Sequence, residues 1–312
     1  RGRYLTFEGA FVNAGSLVAF LLVAAYLGQA PTSGQFSVLF AFSVLAGAGS
    51  IYFILRVPAV APPSEEVGKR QEAPWAEIFD NRPFRKLLWV ELFMAIALGG
   101  LAAFTVKYLK AEAGRQDNHI MLASAAKFVG ALGTLWFLKA RLDRMGSRPV
   151  IFFGLAIGLA CVAVFGLIAG GVVLLNFFTV AGLYFSFGFV LASVTMSMTR
   201  LAMATVPRLG SSHYFAVFAV VGNLAMGMSP TLWGLMIDLL SGRDVVWLGI
   251  EWNEYTIYFA GVAGVLLLTA LATVRLEEPK AARLDEFLID LIQSTATTSC
   301  YYLFSVKTES SD

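Results

Sequence analysis

Eight stretches of almost uninterrupted apolar sequence run through this chain, and nothing else in it limits the fold so strictly. They lie at roughly 9–28, 35–56, 88–106, 120–138, 150–170, 172–199, 213–237 and 256–275. A bilayer core takes about 20 apolar residues of helix, and each run meets that length. None shows the period-2 alternation of a barrel strand, and lipid offers no water to an open backbone, so the runs are expected to be helices. Composition agrees: 58% of residues are apolar and 14% charged, against roughly 25% charged in a soluble domain. The expected fold class is therefore an all-α polytopic membrane protein with eight transmembrane helices, in contact with membrane lipid. Pro230 is expected to kink the seventh run.

The connections set the direction of the spans. Lys and Arg collect in every second one: Arg1 and Arg3, the stretch 56–87, the stretch 139–148, the stretch 200–208, and the tail from Arg275. Together these hold 18 basic residues, while the alternate set holds four (Lys107, Lys110, Arg115 and Arg243), and Lys127 lies inside a span. By the positive-inside rule both termini are expected on the cytoplasmic side, in a plasma (inner) membrane. The widest cytoplasmic connection, 57–87, has five prolines and mixed charge, and reads as a linker with a short amphipathic piece around PWAEIFDNRPF. The expected organisation is two spans in 1–56, the linker 57–87, six spans in 88–276 and a cytoplasmic tail 277–312. Within that tail Leu284, Phe287, Leu288, Leu291 and Ile292 recur at helical spacing, as in a surface helix or a frayed end.

Between the fourth and fifth runs lies a knot of charge, LKARLDRMGSRPV. Its segment Asp143-Arg144-Met145-Gly146-Ser147-Arg148 resembles the loop signature of the major facilitator superfamily, G-x-x-x-D-R-x-G-R-[RK]. Two departures are Lys139 where the signature opens with Gly, and Ser147 for a basic residue. That family has twelve spans in two six-span halves, with the signature between the second and third spans of each half. The resemblance implies that the eight runs are spans five to twelve, that the first four are missing, and that an N-terminal half is needed in cis or in trans. Gly146 permits a tight turn with positive φ. Arg144 and Arg148 suit headgroups and helix-end carbonyls, and Asp143 can pair with them or face a helix N-terminus. In the family such a cluster latches helices on the cytoplasmic side, here beside Glu8 to Asn13; the plainer reading is a positive-inside topology marker, and the two are compatible.

Polar groups inside spans mark where a solute could bind. Lys127 lies deep in the fourth run, where a charge costs about 2.5–3.5 kcal/mol on insertion scales; it is expected to face a cavity or an anion, or else a structural ion pair. Glu91, one turn into the third run, is placed to pair with Lys127, carry a proton or reach interfacial water. Asn223, Tyr184 and Ser186 stand at mid-depth in the seventh and sixth runs, as substrate contacts or as packing. Asn13, Asn176 and Asp238 lie nearer span ends and are expected to bond helices or water. The resemblance implies that Glu91, Tyr184, Lys127 and Asn223 converge on one cavity.

The net charge of +2 suggests no nucleic-acid partner. Cys161, Cys300, His119 and His213 are isolated, so no disulfide, metal or cofactor site is expected. A membrane-embedded enzyme would need paired catalytic groups that the spans lack. No ATP-binding loop of the GxxxxGK[ST] kind is present. The resemblance therefore implies a secondary active or facilitative transporter of a small solute, with a proton or cation as a possible coupling ion. The antiporter Gly-Pro pair that the family carries in its fifth span is absent from GAFVNAGSLVAFLLVAAYLG, which disfavours drug/proton exchange. A non-transporting receptor or scaffold is the alternative.

Overall fold

A computed structural model describes residues 2–28, 31–58, 75–112, 114, 117–138, 145–207, 211–242, 245–276 and 278. Most of the linker, most of the tail, and Asp143 and Arg144 of the knot lie outside the described residues. Eight helices are long and apolar enough to cross a membrane. In chain order the helices are α1 (Gly2–Leu27), α2 (Ser33–Ile54), a short α3 (Trp75–Asp80), α4 (Arg82–Gly99), α5 (Leu101–Lys107), α6 (Asp117–Leu138), α7 (Arg148–Ala169), α8 (Phe177–Thr205), α9 (Ser211–Leu240) and α10 (Glu254–Val274).

Their starts follow local chemistry. Thr32 opens α2 with a capping box, its N–H donating to Gln35 Oε1 at 2.8 Å. Asn81 caps α4, Asn176 caps α8 and Asn253 caps α10, each side chain accepting a backbone N–H three residues on. Asn176, expected to bond a helix or water, serves its own helix. The amphipathic piece of the linker forms α3 and buries Ile78 completely.

The third run departs from a simple span. It is two helices broken at Gly100 and continued by a π-helical turn, Tyr108–Glu112. The Gly100 N–H bonds Leu98 O, and Ile96 O is taken instead by two donors from α9, Ser229 Oγ at 2.7 Å and Trp233 Nε1 at 2.8 Å. Across the break, a Cβ on Gly99 would lie 2.7 Å from Met226 O. Pro230 has no N–H to offer that carbonyl, so two helix irregularities meet face to face. α9 itself continues as helix through Pro230.

The connection before α10, outside the all-α expectation, contains an antiparallel hairpin, Val245–Trp247 with Ile250–Trp252. Its turn residues Leu248 and Gly249 both have positive φ, as a two-residue loop of type I′ requires.

α6 packs chiefly on α8 and α1, α7 on α8 and α10, and α4 on α9 and α10. An aromatic stack of Phe165 with Phe187 (5.6 Å) and Phe259 (5.5 Å) fills the centre between α7, α8 and α10. α2 leans on α1 and buries none of its residues.

Candidate functional site

The α6–α8 crossing sets the site, because two glycines bring backbone onto backbone. A Cβ on Gly188 would fall 1.7 Å from Lys127 O, and one on Gly130 would fall 1.9 Å from Phe185 O. Only glycine allows that approach. The contact fixes Lys127 against the middle of α8, and its half-buried side chain lies at a junction of cavities.

The largest of these, about 460 Å³, lies between α1, α6 and α8, with Glu8, Asn13, Lys127, Thr195 and Thr199 among its lining. Lys127 Nζ sits 4.9 Å from the centroid of the Phe128 ring, a cation–π arrangement. Among the described residues it has no carboxylate within ion-pair distance, so Lys127 and Glu91 do not pair in this conformation. A second chamber of about 60 Å³ lies behind Lys127, walled also by Thr105, Tyr184 and apolar side chains of α4, α5 and α8. A third cavity, about 330 Å³, lies between α4, α8 and α9 and holds Glu91 and Asn223.

The three are neighbours along α8. Leu191 lines all of them, Lys127 the first two, and Thr195 and Thr199 the first and third. The structure thus brings Lys127, Tyr184, Glu91 and Asn223 onto one cavity system. Glu91 is seated by another glycine: a Cβ on Gly222 would lie 2.6 Å from Glu91 Oε1. Asn223 is exposed and donates Nδ2–H to Ala219 O at 2.8 Å, one turn back. Ser186 is not part of the system. Its hydroxyl donates to Gly182 O at 2.9 Å and neighbours Cys161 on α7. Two residues from Tyr184 is about 200° around a helix, so the two side chains face opposite ways.

Sequence reasoning passed over Thr105, Thr195 and Thr199, gave Glu8 only to the latch region, and gave Asn13 to that region or to bonds with helices or water. Tyr184, Gly188, Leu191, Thr195 and Thr199 follow one another at spacings of four and three, a single face of α8. That stripe was the available signal.

At the end of the bundle nearest the knot, Gly146 is buried with φ +90°, the turn its type allows. The first backbone N–H groups of α7 need acceptors, and Glu278 supplies them. Its carboxylate accepts from Ser147 N (3.0 Å) and Arg148 N (2.9 Å) and pairs with Arg200 Nη1 at 3.1 Å. Arg200 also donates to Ser147 Oγ at 3.0 Å, and Arg148 Nη2 to Val274 O at 2.7 Å, near the end of α10. The carboxylate seen at this helix N-terminus therefore comes from beyond α10. Met145 and Ala10 pack on one small cluster with Leu135, Leu138, Val150 and Met196, which places the start of α1 beside the knot.

Eight helices long and apolar enough to cross a membrane, with polar side chains set between several of them, define an integral membrane protein. The family model of the Major Facilitator Superfamily matches residues 1–230, and the chain belongs to that family of transporters. No curated protein matches the chain.

Proposed function

We propose that the protein moves a small solute across the membrane by alternating access, as a secondary active or facilitative transporter, with the cavities along α8 as its path. The observation that carries this reading is that three neighbouring cavities share wall residues along one face of α8, with a lysine, two glutamates and several hydroxyls in their walls. Lys127, Tyr184, Glu91 and Asn223 are the binding or coupling groups, and a proton or cation is the coupling ion where one is used. The eight spans correspond to spans five to twelve of the family. A half-bundle, in cis or in trans, closes the far wall; the nearly unburied α1 and α2 support that reading. The Glu278–Arg200 cluster acts as a cytoplasmic latch.

The test is solute uptake in proteoliposomes, on a solid-supported membrane with a panel of organic ions and neutral solutes. Lys127→Ala is expected to lower the rate at least tenfold while the protein still folds. Unchanged uptake would remove Lys127 from the site, and no uptake of any solute by a complete, folded protein would favour a receptor or scaffold. Both termini on the cytoplasmic side would leave Cys300 open to an impermeant maleimide from that side alone, with the buried Cys161 unlabelled.

A further inference from the structure

We propose that the 60 Å³ chamber behind Lys127 is an anion site, and that the solute carries a carboxylate or similar single anionic group which docks there. This rests on the transporter reading and names the solute class for the same cavity.

Among the described residues, three polar side chains line the chamber. Thr105 is 1% exposed and Tyr184 5% exposed, and the hydroxyl of each is buried with no hydrogen-bond partner that meets distance and angle limits; Ser124 is the side chain beside the Tyr184 hydroxyl. The third is Lys127, the one charged residue in this wall. The remaining lining is Leu98, Leu101, Ala102, Phe187, Val190 and Leu191. Buried hydroxyls are nearly always satisfied, so two orphans on residues that wall one space, beside an ammonium with no carboxylate in reach among the described residues, call for a shared partner. All three groups can donate, no carboxylate lines the chamber among the described residues, and low-polarity walls strengthen attraction to a negative charge. The complement is an acceptor-only anion.

Size sharpens the inference. One water needs about 10–15 Å³ by this measure, so the chamber holds a carboxylate with a water or two and no larger group. Lys127 also lines the 460 Å³ cavity, which has room for an organic body. An anionic head in the small chamber and a body in the large one both stay within reach of the same lysine.

Binding tests this without requiring transport. Purified full protein is melted in detergent with sodium acetate, sodium benzoate, sodium chloride, and the neutral analogues acetamide and benzamide. Saturable stabilisation by acetate, absent with acetamide, is expected. Lys127→Gln should abolish it, and Tyr184→Phe and Thr105→Val should each weaken apparent affinity about tenfold, the worth of a hydrogen bond to a charged group. Benzoate binding tighter than acetate identifies an organic head group; chloride equal to acetate identifies a free inorganic anion as the occupant. The proposal is overturned if cooperatively melting wild-type protein shows no acetate-specific shift, or if Tyr184→Phe and Thr105→Val both bind as wild type. A protein that binds acetate and moves nothing would keep the anion site and lose the transporter reading. Uptake indifferent to solute charge and to Lys127→Gln would do the reverse.

Discussion

At the scale of single residues, glycines decide where the functional side chains stand. Gly188→Ala would put a methyl group into the Lys127 carbonyl, and neither backbone can retreat without separating α6 from α8. A loss of about 3 kcal/mol is expected, the upper range for overpacking, read as a lower melting temperature. Gly133 faces open space, and Gly133→Ala should leave the melting temperature unchanged. Gly222→Ala is a different case, because its Cβ would meet only the end of the flexible Glu91 side chain. Folding should survive while the carboxylate moves, so Gly222→Ala should reduce uptake to the level of Glu91→Gln with little change in melting.

At the scale of elements, the break in the third span is held by one carbonyl with two donors. Either Ser229 or Trp233 alone satisfies Ile96 O, so Ser229→Ala or Trp233→Phe should each cost about 1 kcal/mol or less in a membrane setting. Losing both leaves a partly buried carbonyl without a partner. The double variant should therefore cost more than the sum of the singles, a non-additivity that a double-mutant cycle in unfolding measures. The sequence showed that a helix lies here but not that it is broken. Gly99 and Gly100 read equally well as close packing, and the bonds that hold the break come from residues over 130 positions away. Spans of uniform greasiness were legible because each is recorded in its own twenty residues. The face of α8 was half legible: Tyr184 was recognised, and Ser186 was grouped with it although helix geometry turns it away.

At the scale of the whole molecule, the alternating basic connections and the loop signature sufficed to identify the family, because both are patterns of residue type along the chain. The closing of the bundle at the knot was not legible. Glu278 sits in a polar stretch with other carboxylates, and nothing local marks it as the partner of a helix start 130 residues earlier. Glu278→Ala should strip α7 of its acceptor and remove the ion pair with Arg200. Both side chains are mostly buried, at 10% and 25% exposed, so about 2 kcal/mol of stability is at stake, in the range for charge-assisted bonds. The melting temperature of Glu278→Ala, compared with that of the wild-type protein, gives the measurement.

That acceptor also has a practical meaning for producing the protein. Among the described residues the last membrane helix ends at Val274, and a designer who cuts there, or splices a fluorescent reporter directly onto it, removes the carboxylate that holds the start of α7. Any shortening of the tail has to keep residue 278. An affinity handle belongs beyond it, on a spacer that leaves the carboxylate free to reach α7.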